Sequence, residues 1–199
     1  MSLIRQAVAS MLKAATPAVP VGRSPGMAET WGYSQARSQS EAASKMMASN
    51  PWLFITIDRI ASAVAAAEWQ LFQRGGEKMK LIEEHPLLTL WAKPNSFDKG
   101  MEFIETLQQH FELTGEMWWL NVGQNGPGGV PQELWPLRPD RMVPVPHPTE
   151  FLSGYVYVVG LQRIPLELSQ GAFTHRPNPA DVYRGISPLS SVLQDISAD

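Results

Sequence analysis

No cysteine occurs in this chain. That excludes disulfides, thiol nucleophiles and cysteine-ligated zinc, and it fits a reducing compartment. No apolar run approaches the roughly 20 residues that a membrane-spanning helix needs. The stretch Ile4 to Ala15 is interrupted by Arg5, Gln6 and Lys13, so it reads as a short amphipathic helix rather than a signal peptide. Positive charge is also scarce. Sixteen Lys and Arg face nineteen Asp and Glu, for a net charge of −3, so no global basic field invites nucleic acid. Charged residues make up 18% of the chain against 44% hydrophobic, a balance that belongs to a globular protein rather than a disordered one. No internal repeat recurs at a fixed period.

The 199 residues suffice for one substantial domain, or a domain and a tail. Seventeen prolines and fifteen glycines argue for many turns and short strands rather than a helical bundle. The first 49 residues stand apart. They hold Arg5, Lys13, Arg23, Arg37 and Lys45 against Glu29 and Glu41, a surplus of three positive charges, which leaves −6 on the remainder. Residues 16–49 are rich in Pro, Gly, Ser and Ala and read as an arm. We therefore divide the chain into an amphipathic segment with a flexible arm over 1–49 and an α+β domain over 50–199.

Within that domain Asn50 is placed as an N-cap and Pro51 as the first helical residue. Leu53, Ile57, Ile60/Ala61 and Val64 then form an apolar stripe. From Trp69 the period changes to two, which predicts a strand ended by Gly75-Gly76. A short helix is expected over His85 to Ala92. A longer one starts from Ser96 or Asp98, buries Met101, Ile104, Leu107/Gln108 and Phe111, and stops at Gly115. Met117 to Val122 and Val130 to Leu137 predict a hairpin turning through Gly123 to Gly129. Met142 to Val145, Tyr155 to Val159 and Phe173 to Arg176 are further strands. Pro144, Pro146 and Pro148 make their segment unsuited to the centre of a sheet. Ser187 with Pro188 opens a last helix.

The candidate chemistry is thin. The glycine-rich loop Gly123 to Gly129 lacks the lysine, hydroxyl and following helix of a phosphate loop, and a hairpin turn accounts for it. His85, His110, His147 and His175 share no metal-ligand spacing. Glu83-Glu84 and the pair Glu102 and Glu105 read as solvated faces rather than acid–base partners. Ser187 has no nucleophile elbow around it. Trp118-Trp119 and Tyr155/Tyr157 could stack on bases. Adjacent strand residues face opposite ways, however, and no Lys or Arg flanks them, so packing accounts for them better. Arg138 and Arg141 bracket Pro139-Asp140, which suggests a tight turn closed by an Asp–Arg pair, with phosphate contact as the alternative. No catalytic residue, cofactor or metal is expected.

Three phrases in fixed order remain: Asn50-Pro51-Trp52, Glu133-Leu134-Trp135-Pro136-Leu137-Arg138-Pro139-Asp140-Arg141, and Tyr183-Arg184-Gly185-Ile186-Ser187-Pro188-Leu189. Between them lie the helix Ile60-Ala61-Ser62-Ala63-Val64-Ala65, Trp69-Gln70-Leu71-Phe72, His85-Pro86-Leu87-Leu88, Lys93-Pro94-Asn95, Leu113-Thr114-Gly115-Glu116 and Gly154-Tyr155-Val156-Tyr157. Each is weak alone, but their collinear order resembles the front half of the tailed-bacteriophage portal (head–tail connector) family, lambdoid type. The resemblance implies a portal wing-like α+β region of several helices and short, mostly antiparallel strands. It implies a structural subunit of a dodecameric ring at one capsid vertex. Through that ring double-stranded DNA would enter and leave without sequence-specific binding. Implied partners are the terminase large subunit, which owns the ATPase, the major capsid protein or scaffold, and a head–tail adaptor. The implied location is the virion's portal vertex, and the host bacterial cytoplasm during assembly; no membrane is involved. Two features depart from the pattern. Lys99 stands where relatives often carry a capping Thr. The sequence also stops where stem, clip and crown would follow, which suggests an expressed fragment or a truncated prophage product. The competing readings are an enzyme, which would need a convergent cluster not visible here, and a nucleic-acid-binding or assembly module working through the basic arm.

Overall fold

Asn50 starts the first helix as its position requires. Its side chain accepts from the backbone N–H groups of Trp52 and Leu53 at 3.1 and 3.2 Å, and Pro51 takes the first helical position. The computed structural model describes residues 43–45, 47–75, 78–123, 129–147 and 149–190. The expected helix over Ile4 to Ala15, most of the arm, the tip of the Gly123–Gly129 loop and the continuation of the last helix lie outside them. Helix α1, Pro51–Ala65, buries Ile57, Ala61 and Ala65. Ile60 does not join that stripe and is 40% exposed. Ala43, 1% exposed, packs with Ile57 and Leu113, so buried contacts reach back at least that far.

The period-two segment after Trp69 forms β1, Leu71–Gly75, which pairs antiparallel with β2, Lys78–Ile82. Trp69 itself lies before the strand and meets Trp91 edge to face at 5.3 Å. Helix α2, Pro86–Ala92, is capped by His85, whose Nδ1 accepts from Leu87 N–H at 3.1 Å. Helix α3, Gly100–Thr114, begins later than Ser96 or Asp98. Asn95 explains the delay: its Oδ1 accepts from the backbone N–H groups of Phe97 and Asp98, folding those residues into a turn. Glu102 then reaches back to Lys99 N–H at 3.0 Å, supplying the cap that the Lys99 side chain does not. The buried side of α3 is also rotated from the expected one. Phe103, Ile104, Leu107 and Leu113 are buried, while Met101 is 60% exposed because it lies roughly 160° around the helix from Phe103.

Gly115, with φ +76°, ends α3 and turns the chain directly into β3, Glu116–Val122. Strand β3 is central to a sheet of order β4-β3-β8, with β4 Glu133–Leu137 and β8 Gly171–His175, both antiparallel to it. A second sheet has the order β5-β6-β7, from Met142–His147, Phe151–Val159 and Gln162–Leu166. Strand β7 was not expected from the sequence. Pro165 interrupts its pattern, and an edge strand tolerates that residue, just as edge strand β5 tolerates Pro144 and Pro146.

The result is an α+β fold of three layers. Along β3, Trp118 and Leu120 face the second sheet, packing with Met142, Tyr155, Ile164 and Leu166. Met117 and Trp119 face the helices, beside Leu90, Phe103, Ile104 and Leu107. The adjacent tryptophans thus serve opposite cores, as strand alternation requires.

Candidate functional site

The residues of the second and third phrases converge where α3 passes into β3. Glu116, the first residue of β3, is 1% exposed. Its Oε2 accepts from Trp118 Nε1–H at 2.9 Å, and its Oε1 accepts from Gly185 N–H at 2.7 Å. Arg184 Nε lies 3.0 Å from Oε1 as an ion pair. The rest of the guanidinium donates to backbone: Nη1 to Met142 O at 2.7 Å and Nη2 to Pro139 O at 3.2 Å. One arginine therefore joins the start of β3, the Pro139–Arg141 turn and the start of β5. Burial pushes the Glu116 carboxyl above its usual range, and Arg184, Trp118 and Gly185 partly offset the push. Trp118 and Gly185 donate hydrogen bonds to the carboxylate, whereas Arg184 Nε meets it as a charge partner without a hydrogen bond of its own.

Backbone contact seals the junction. A Cβ on Gly115 would meet Ile186 O at 2.3 Å, and one on Gly185 would meet Gly115 O at 2.2 Å. Only glycine at both positions permits this approach. Ser187 Oγ donates to Glu112 O at 2.8 Å and accepts from Leu189 N–H at 3.0 Å. It caps a short 3₁₀ turn, Pro188–Ser190, in which Pro188 is the first residue. Arg176 closes the same end of α3, bound to both Glu112 oxygens at 3.0 and 2.8 Å and stacked 4.6 Å over Phe111.

The turn of the second phrase is built as its spacing suggests. Arg138 donates from Nε and Nη2 to the two oxygens of Asp140 at 3.0 and 2.9 Å, in a fork across the Pro139–Arg141 3₁₀ turn. Arg141 N–H donates to Arg138 O. Trp135 donates to Glu133 at 2.9 Å and packs against the core between the two sheets, while Pro136 lies opposite Trp119 in the ladder. Tyr183 stacks on Phe151 at 4.7 Å, and Phe151 is held at φ +69°, rare for a bulky residue. The first phrase is linked to the junction through its neighbour: Leu53 packs in the cluster that also takes Leu189. Trp52 is 81% exposed.

Among the histidines, His110 matters most to this region. Burial lowers its imidazole to about 4, against Asp140, which raises it, and with Arg138, which lowers it further. Its Nδ1 is sealed from water with no hydrogen-bond partner. His85 and His147 accept backbone N–H groups as turn and helix caps, and His175 stacks on Phe173. Among the described residues no three His, Asp or Glu side chains are placed to hold a metal ion, and no helix is long and apolar enough to cross a membrane.

Glu116 is the central residue that sequence reading passed over. Its signal was a carboxylate opening an aromatic strand directly after a helix-ending glycine, where burial demands a partner. Chemically, the cluster binds chain to chain: each oxygen of Glu116 is taken by donors from the protein itself.

The fold as a whole has counterparts among known proteins. A chain from the neck of a native gene transfer agent particle, computed with C12 symmetry, is 27% identical with a TM-score of 0.65; the match covers 78% of this chain and 41% of that one. One from the neck of an empty gene transfer agent particle, computed with C6 symmetry, is 29% identical with a TM-score of 0.69, over 78% and 43%. One from the virion of a native gene transfer agent particle shares the fold at 23% identity and a TM-score of 0.63, over 98% and 46%. This chain thus spans less than half the length of each. No match was found among the curated proteins. The family model described as phage portal protein matches residues 51–199, from the first residue of α1 through the second and third phrases, and the chain belongs to that family.

Proposed function

We propose that this chain supplies the wing portion of a portal subunit, with residues 1–49 as an arm and 50–199 as the wing-like domain. Copies stand in a ring at one capsid vertex, and double-stranded DNA passes through during packaging and genome ejection without being read. The ring docks the terminase large subunit and a head–tail adaptor, and it meets the capsid protein or scaffold as the head is nucleated in the bacterial cytoplasm. The observation that carries this reading is the portal family match over 51–199, supported by likeness at 27% and 29% identity to chains in symmetric particle necks. The role is structural: the charged groups of the junction hold the fold rather than face a substrate, and no hydrolysis of ATP is expected.

The test uses antibodies raised against this chain on phage particles induced from its source bacterium. Immuno-electron microscopy is expected to label a single vertex per particle. Labelling spread over the whole shell, or none, would overturn the proposal. Purified protein should release phosphate from ATP no faster than a buffer blank, and turnover abolished by a point substitution would contradict the structural role.

A further inference from the structure

Helix α1 is apolar on almost every side. Only Asp58 and Arg59 carry charge along Pro51–Ala65, and the core takes one face, through Ile57, Ala61 and Ala65. Trp52 and Ile55 lie on the opposite face, roughly 140–160° around from Ile57 at 100° per residue, and they are 81% and 58% exposed. Thr56 beside them returns its hydroxyl to Trp52 O at 2.8 Å, which leaves its methyl for the surface. A helix apolar on all sides is ordinarily covered on all sides. At about 150–250 Å² for a large side chain, Trp52 and Ile55, three residues apart and so neighbours on that one face, leave on the order of 300 Å² uncovered at 81% and 58% exposure. That already matches the largest apolar patch of an ordinary monomer, and it is a substantial part of the roughly 800 Å² that each partner gives to a stable contact.

The outer layer on the other side of the fold carries a second, different apolar feature. The turn between β6 and β7 ends in Gly160, at φ +60°, and Leu161, which is fully exposed. Val159 beside it is 38% exposed, and no atom lies within 4 Å of the Cβ position of Gly160. The tip therefore projects without touching its own chain there.

Two unlike apolar features on opposite outer layers are what a head-to-tail ring needs. An isologous dimer uses one patch twice, whereas cyclic assembly of identical subunits uses two different patches on each. We infer that the outer face of α1 docks against the β6–β7 tip of a second copy of this chain. The inference rests on the ring reading above and assigns its contact surfaces; similar chains occur in necks computed with C12 and C6 symmetry.

The chain has no cysteine, so a pair can be introduced cleanly. Ile55→Cys and Leu161→Cys in one chain of residues 1–199, treated with a short bismaleimide, should give a ladder of products beyond the dimer. Each single variant should stop at the dimer or below. Adding Trp52→Glu to the double variant should cut products beyond the dimer about tenfold, with circular dichroism unchanged because Trp52 is exposed. A double variant that stops at the dimer overturns the inference. In that case, labelling of Ile55→Cys that rises only when residues 1–42 are removed assigns the face to this chain's own N-terminal segment, and free labelling throughout assigns it to another protein. Single-vertex labelling of particles without the ladder overturns this inference alone. Loss of both overturns the ring reading as well.

Discussion

Arg184 ties its own segment to two others, the start of β3 through Glu116 and the contiguous turn and start of β5 through Pro139 and Met142. Removing it leaves a buried carboxylate without its counter-charge, so Arg184→Met should cost about 3–5 kcal/mol in urea unfolding. Glu116→Gln combined with Arg184→Met should cost less than the two single changes added together, because each single change strands the other partner. Equal, additive costs would contradict the coupling. His110 gives a separate signature. Its folded pKa of about 4 lies below the ordinary 6.5, so the folded state refuses a proton that the unfolded chain accepts. Stability should be indifferent to this group above about pH 6.5 and should fall as pH drops towards 4, by up to about 1.4 kcal/mol per unit. Glu116 runs the other way. Burial raises its pKa, so its contribution is fully present in acid and is lost as pH rises through its folded value. Denaturation curves of His110→Gln should lose the acid slope, and those of Glu116→Gln the opposing one. The Arg138–Asp140 fork was legible in the sequence because both partners sit in one short phrase. The Glu116–Arg184 pair was not, because Glu116 and the Gly185 beside Arg184 are 69 residues apart and nothing local links them.

Among the elements, α1 is the most legible. An Asn-Pro start and an apolar stripe give its boundary and most of its buried face, and the cap geometry agrees. Asn50→Ala should remove the side-chain acceptor of two backbone N–H groups and cost about 1 kcal/mol, while Asn50→Asp should retain most of the stability; equal losses would argue against capping. Helix α3 shows where local pattern fails. It packs against α1, α2 and the middle sheet together, so Phe103 and Leu113 are buried outside the single stripe that periodicity suggests. Strands β2 and β7 were missed for different reasons. Lys78-Met79-Lys80-Leu81 does alternate, but the run is short and both sides of the β1–β2 pair are largely open to solvent, so the alternation marks no buried face. Proline obscures β7, and edge position excuses it. The turn at Phe97–Asp98 was unreadable because Asn95, rather than the residues nearest α3, organises it.

At the scale of the whole molecule, the three layers share one hinge of meaning in Trp118 and Trp119, which commit neighbouring residues of β3 to different cores. Limited trypsin treatment should cut first at Arg23 or Arg37, where composition offers little to bury, and the resistant product should keep Ala43. Early cleavage within 50–72 would contradict the domain division. The order in which the pieces are made has its own consequence. Glu116 leaves the ribosome well before the segment that neutralises it. With 69 residues between Glu116 and Gly185, synthesis at about 5–20 residues per second imposes a wait of roughly 3–14 s. Strands β5 to β8 are all made within that interval, and the arginine comes only after the last of them. Closing the Glu116 junction therefore waits on residues made after every strand of both sheets.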